Sequence, residues 1–296
     1  LAIVNSPIAV VGPGAIGSAI AAYLHAAGHR VEVYGRTPRE SIDVRADDGE
    51  AIIVPGPVHT DPDAVAGPAA VVFLAVKDTQ NEAAATWLAR LCGPGTVVCA
   101  LQNGVEQVER VGRYCPAGTV VPAAIWISAE TMPQGWVRLR NRLRLVLPDT
   151  AAARAVAELF PPDTVELDPD FLSAAWRKLL VNAAVGLMVL SGRRSGMFRR
   201  DDVAALAREY LAECLAVARA EGATLGNSVI DEIVDMLARS PEDLTTSMLT
   251  DREAGRPLEW DIRNGVIRRK GAAHGLPTPI SDVVVPLLAA AGDGPG

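Results

Sequence analysis

The feature that most constrains this chain lies near its start. A short apolar run at residues 8–11 leads directly into Gly12-Pro13-Gly14-Ala15-Ile16-Gly17, an apolar stretch to Ala27 and then Gly28. In Gly-x-Gly-x-x-Gly, the first glycine permits a tight turn, the second lets a pyrophosphate approach the backbone, and the third lets helix and strand pack closely. The helix N-terminus adds free N–H groups and positive potential. The motif alone is weak evidence. Its setting here is the one the fingerprint requires: a strand, the glycines, a helix, then a second apolar run at 31–34. A dinucleotide is therefore expected against Gly12, Pro13, Gly14, Ala15, Ile16 and Gly17.

The rest of the first half keeps that rhythm. Runs at 71–76 and 96–100 read as strands and 82–91 as a helix, which implies a parallel sheet covered on both faces. Three further runs, 120–127, 136–140 and 143–147, read as strands added to close the sheet. Proline and aspartate cluster at 160–163 and 168–170, and beyond them the apolar period changes to that of helices near 170–190, 201–221, 228–239, 257–273 and 279–291. At 296 residues the chain is long enough for two cores. The expected class is α/β: a Rossmann-type dinucleotide-binding domain over 1–167 and an all-helical domain over 168–296, the tail from Gly292 fraying.

Composition narrows the partners. A net charge of −7 offers no broad basic face for nucleic acid, so an anionic ligand must be held by a local site. The four cysteines show no paired metal-ligand spacing, and no metal site is expected. They read as free thiols in a reducing compartment. The apolar start runs into the glycine motif without a basic leader, and no uninterrupted apolar run reaches membrane length, so a cytoplasmic protein with no membrane partner is expected. Among the basic residues, 25 arginines stand against three lysines, Lys77, Lys178 and Lys270. Such a bias makes each lysine worth a question, because only an ammonium loses its proton readily.

Candidate functional residues follow from position. The second strand ends in Tyr34-Gly35-Arg36, where an NAD site would carry a carboxylate for the ribose hydroxyls. Arg36 suits a 2′-phosphate and favours NADPH; the alternative is a solvated turn residue. Lys77 and Asn103 follow strands whose carboxyl ends face the expected cofactor crevice. Lys77 would bond ribose or phosphate oxygens, and Asn103 would orient nicotinamide or substrate, unless they merely cap a strand and form a side-chain turn. Lys178 and Asn182 are four apart on a largely apolar helix, so they share a face. A desolvated ammonium there would be a general acid for a carbonyl oxygen, though a lysine that snorkels to solvent fits the same spacing. Ser247 and Glu259 flank a polar segment containing Asp251, Arg252 and Arg256. Pro257 is expected to open a helix with Glu259 in its first turn, which is by itself a complete structural account of that carboxylate.

Taken in order, Gly12-x-Gly14-Ala15-Ile16-Gly17, Val76-Lys77, Gln102-Asn103-Gly104, Trp176-Arg177-Lys178-Leu179 with Asn182, and Ser247-Met248-Leu249 with Asp251 and Glu259 resemble the ketopantoate reductase family over nearly the whole chain. The resemblance implies a helical second domain like that of 6-phosphogluconate dehydrogenase and reduction of 2-dehydropantoate to pantoate by NADPH, in pantothenate biosynthesis. It also implies roles. Lys178 would donate the proton and bind substrate, with Asn182 and Ser247 contacting the small 2-oxoacid. Glu259 would act at the reacting centre and near the cofactor. Two departures stand out. Gly186 occupies the position of a second family asparagine, and residues 191–196 lack another, so substrate bonds are missing or come from Arg193 or Arg194. A reductase of a different 2-oxoacid and a non-catalytic NADP-binding redox sensor remain alternatives. Oligomeric state is not legible, a homodimer being one arrangement open to the chain.

Overall fold

The computed structural model describes residues 7–293 apart from Asp48 and Glu50; the first six residues and the last three of the glycine-rich tail lie outside the described residues. The chain divides into two compact units, Leu1–Phe171 and Leu172–Gly296.

The first unit runs β1 (Ile8–Val11), α1 (Ala15–Ala26), β2 (Val31–Tyr34), β3 (Ser41–Ala46), β4 (Ala51–Pro55), β5 (Val58–His59), β6 (Val71–Leu74), α2 (Asn81–Leu91), β7 (Val97–Ala100), α3 (Gln107–Gly112), β8 (Thr119–Pro122), β9 (Ala124–Trp126), β10 (Ala129–Thr131), β11 (Val137–Leu139), β12 (Arg144–Pro148), α4 (Ala151–Ala157) and β13 (Val165–Asp168). Six strands form a parallel sheet in the order β5-β2-β1-β6-β7-β8. Every residue of β1, β6 and β7 is buried. Such uninterrupted apolar strands are what a sheet covered on both sides demands. Ile8 and Val10 join Ile20 and Leu24 of α1 on one face, whereas Ala9 and Val11 meet Trp87, Leu88 and Leu91 of α2 on the other. The order reverses between β1 and β6, so their carboxyl ends mark the switch point at which open α/β sheets bind ligands.

The later strands do not close this sheet. The run at 120–127 is two strands separated after Pro122. Of these, β8 joins the parallel sheet, while β9 leaves it to pair antiparallel with β12, which also pairs with β13. Proline has no N–H for a ladder and suits the end of a paired run. The run at 136–140 becomes β11, in a separate four-stranded sheet with β10, β3 and β4. β3 and β4 give only a weak apolar signal in the sequence, because only Ile42, Val44 and Val54 are buried, between polar or exposed neighbours.

The second unit is helical throughout its described residues. It comprises α5 (Phe171–Ala184, whose first residue belongs to the first unit), α6 (Gly186–Ser191), α7 (Asp201–Ala220), α8 (Ser228–Arg239), α9 (Ser247–Glu253), α10 (Val266–Ala273) and α11 (Pro279–Gly292). Trp176, Phe198 and Tyr210 are fully buried in its core. The stretch 171–191 is, by length and composition, apolar enough to cross a bilayer, against expectation; two-thirds of its apolar window is buried inside the protein, as befits a core helix. The helix expected over 257–273 begins later and differently. Pro257 lies in the connecting segment, Glu259 immediately precedes the first helical residue, and a π-helical turn, Asp261–Gly265, leads into α10.

Candidate active site

In the first unit, the glycine motif makes the turn for which its composition suits it. Gly12 has φ +95, and a Cβ there would lie 2.6 Å from Val76 Cγ1; a Cβ on Gly17 would lie 2.1 Å from the Gly12 carbonyl oxygen. Neither position tolerates a side chain. Gly14, at the N-cap of α1, has no atom within 4 Å of a notional Cβ and gives the helix no side-chain cap. The first-turn N–H groups at Ala15, Ile16 and Gly17 lie at the positive end of the helix dipole. Pro13 closes the loop, its carbonyl accepting from Ser18 Oγ at 3.2 Å and from Arg39 Nη1 at 3.5 Å.

Arg36 is exposed two residues beyond β2. The competing acid, Glu32, accepts from the Tyr34 hydroxyl at 2.6 Å, a bond that, after burial itself, raises the phenol pKa. Lys77 follows β6 and begins a short 3₁₀ turn; its backbone N–H donates to Gln80 Oε1 at 3.3 Å. Asn103 is half-buried in the loop after β7. A buried amide network fixes that loop: Gln102 Nε2 donates to Val76 O at 3.1 Å and to Asn81 Oδ1 at 2.5 Å. Gln107 Nε2 donates to the carbonyls of Gln102 and Gly104 at 3.1 and 2.9 Å. Asn81 and Gln107 carried no sequence motif; their burial appears only once β6 and β7 lie side by side.

In the second unit, Lys178 and Asn182 are both partly buried on α5, while the adjacent Arg177 is exposed and bridges Glu232 of α8 at 2.8 Å. Burial pushes the Lys178 ammonium down to about 7; the charge of Arg263 acts in the same direction and that of Glu259 against it. Thr246 caps α9 by accepting from the Leu249 N–H at 3.2 Å, which sets Ser247 at the helix start, exposed. Glu259 is only 6% exposed. It pairs with Arg263 Nη2 at 3.1 Å, and the same nitrogen donates to Ser247 Oγ at 2.9 Å. Ser247, Glu259 and the charges acting on Lys178 are thus tied together through Arg263, a residue the sequence did not single out.

The departures noted in the sequence have structural counterparts. A Cβ on Gly186 would lie 2.7 Å from Asn264 Nδ2, which donates to Ala183 O at 3.1 Å and to the Tyr210 hydroxyl at 3.0 Å. The asparagine of α10's leading turn fills the space a side chain at 186 would need. Arg194 is engaged by Glu253 at 2.9 Å and Thr245 at 2.6 Å, and Arg193 is exposed. Asp251, itself buried, pairs with Arg256 at 2.8 Å. Lys270 bonds Glu221 at the surface. All four cysteines are free thiols.

The ketopantoate reductase PanE/ApbA family model matches residues 8–152, and the model for its C-terminal part matches residues 170–291. The chain belongs to the ketopantoate reductase family. It is 64% identical over 291 residues to a 2-dehydropantoate 2-reductase from Mycobacterium tuberculosis, covering 98% of this chain and 99% of that one. It is 39% identical to the 2-dehydropantoate 2-reductase of Caulobacter vibrioides, over 96% and 98% of the two chains. Among solved structures, a dimeric ketopantoate reductase from Staphylococcus aureus superposes with a TM-score of 0.88 at 26% identity, over 97% and 98% of the chains. Family membership accounts for a Rossmann-like parallel-sheet domain followed by a helical one.

Proposed function

We propose that this chain is an NADPH-dependent 2-dehydropantoate 2-reductase that forms pantoate for pantothenate biosynthesis, with residues 1–167 serving the cofactor and 168–296 the substrate. The observation that carries the reading is the second-unit cluster: an ammonium lowered to about 7 chiefly by burial, within the field of a buried Arg263–Glu259 pair, in a chain 64% identical over its length to a named reductase. A carbonyl reduction needs a proton donor that is charged yet gives up its proton near neutrality, and Lys178 meets that need.

Gly12, Pro13, Gly14, Ala15, Ile16 and Gly17 would hold the pyrophosphate of the dinucleotide, and Arg36 its 2′-phosphate, with Glu32 already occupied by Tyr34. Lys77 would bond ribose or phosphate oxygens, and Asn103 the nicotinamide or the substrate oxygen. When bound, the cofactor supplies the hydride for the keto carbon. Lys178 protonates the oxygen as negative charge develops there. Asn182 and Ser247 hold the substrate, and Glu259 orients the reacting centre and contacts the cofactor. The partner is a small 2-oxoacid; we infer a homodimer, as in the Staphylococcus aureus relative, acting in the cytoplasm. A second reading, reduction of a different 2-oxoacid, is favoured by Gly186, which lacks one family amide and at which Asn264 occupies the space a side chain would need.

The test is NADPH oxidation by the purified protein with 2-dehydropantoate and a panel of linear and branched 2-oxoacids, alongside Lys178→Ala. The expected result is that 2-dehydropantoate gives the highest kcat/KM. Lys178→Ala should lose turnover by about 10²- to 10⁴-fold, with NADPH affinity little changed. Preference for another acid selects the second reading, and near-normal turnover in the variant removes Lys178 from the chemistry.

A further inference from the structure

Arg263 is peculiar for an arginine of this chain. Arg268 and Arg269 of the same helical stretch make ion pairs with Asp282 and Asp261 in which every side chain is more than a third exposed. The Arg263 side chain is 4% exposed and that of its partner Glu259 6%. A buried ion pair is seldom worth its desolvation as a stabilising device, since an apolar pair of similar volume does as well. The pair is also incompletely satisfied: Nη2 serves both Glu259 and Ser247, yet Nε is buried with no hydrogen-bond partner. Buried unpaired donors are rare, and each calls for a reason. The residue sits at the centre of the π-helical turn Asp261–Gly265. Turns of this kind interrupt the regular helix and recur at functional sites.

Resting on the reductase reading above, we propose that Arg263 is the fixed cation that holds the carboxylate of the 2-oxoacid alongside Ser247, and so determines the preference for an acid over a neutral ketone. The charge balance of the cluster requires such a group. The substrate is an anion entering a site that already contains Glu259, and two carboxylates in a desolvated setting repel. Lys178 cannot be the standing counter-ion, because it must surrender its proton during the reaction. A guanidinium never does, and its fork of five N–H groups can serve one carboxylate while presenting another edge to a second. Ser247 is exposed and already bonded to the guanidinium, which places the substrate-facing hydroxyl and the cation together. Gly186 contributes no side chain to the site, which leaves more of the binding to charge.

The experiment compares kcat/KM for 2-dehydropantoate with that for its neutral lactone, which carries the same ketone, at saturating NADPH. It uses the wild type, Arg263→Gln and Arg263→Lys, with thermal midpoint and NADPH affinity recorded for each. The wild type should prefer the acid. Arg263→Gln should lower kcat/KM for the acid by about ten- to a hundredfold, chiefly through KM, and leave the lactone within about threefold, as expected for loss of a charged hydrogen bond. Arg263→Lys should fall between them, and carries the test alone if the glutamine variant does not fold. Equal losses for acid and lactone would make Arg263 a mere support for Glu259 and Ser247 and overturn the proposal. Acid turnover with an unaltered acid-to-lactone ratio in Arg263→Lys would do the same while sparing the reductase reading. A wild type that oxidises NADPH with neither compound would remove both.

Discussion

The two units carry the residues proposed for function in opposite ways. In the first, Gly12 to Gly17 are contiguous, and Arg36, Lys77 and Asn103 each follow a strand end of one parallel sheet. In the second, Lys178 and Asn182 on α5, Ser247 on α9, and Glu259 with Arg263 around a π-helical turn come from three separated segments. A site made of backbone geometry at strand ends is written locally, because the same few residues that form the turn also form the site. A site made of side chains from different helices is written only in the packing.

That contrast yields its sharpest prediction at Arg36. If the first unit's residues act through their local positions, Arg36→Ala should weaken NADPH by about ten- to a hundredfold, the worth of charge-assisted bonds to a phosphate, and leave NADH nearly unaffected. Steady-state KM values for the two cofactors decide it, and equal effects would mean that Arg36 is only a turn residue. A smaller effect is expected in the second unit at Gly186, where packing governs. Gly186→Ala brings a Cβ to 2.7 Å from Asn264 Nδ2 and should cost stability of the order of 1 kcal/mol, read as a lower thermal midpoint. No loss would mean that Asn264 yields freely and that the space at 186 is available to substrate.

What the sequence made legible follows the same division. The strand and helix rhythm located β1, α1, β2, β6, α2 and β7 to within two residues, since fully buried strands are continuous apolar runs. β3 and β4 are less legible: half of β3 is polar, although Ile42 and Val44 alternate in the expected period of two, and β4 is apolar but exposed at Ala51, Ile53 and Pro55. Glu259 was named, yet its setting was misread. Pro257 does not open the helix, so the carboxylate is held by Arg263 rather than placed in a first turn. Arg263 itself was hidden by composition. In a chain with 25 arginines, a Glu-x-x-x-Arg spacing looks like one more solvated pair, and nothing in the sequence says that this one is buried.

The proposed chemistry requires a Lys178 amine that titrates near neutrality and is protonated when it reacts. The direct measurement is the pH dependence of kcat/KM for 2-dehydropantoate reduction, which reports the ionisations of the free enzyme. With the Lys178 pKa lowered to about 7, the acid form is full below that value and is lost above it. The rate constant should therefore fall about tenfold per pH unit on the alkaline side, and Lys178→Ala should abolish that limb. A profile that stays level up to the ordinary lysine range, or a falling limb that persists in Lys178→Ala, would contradict it.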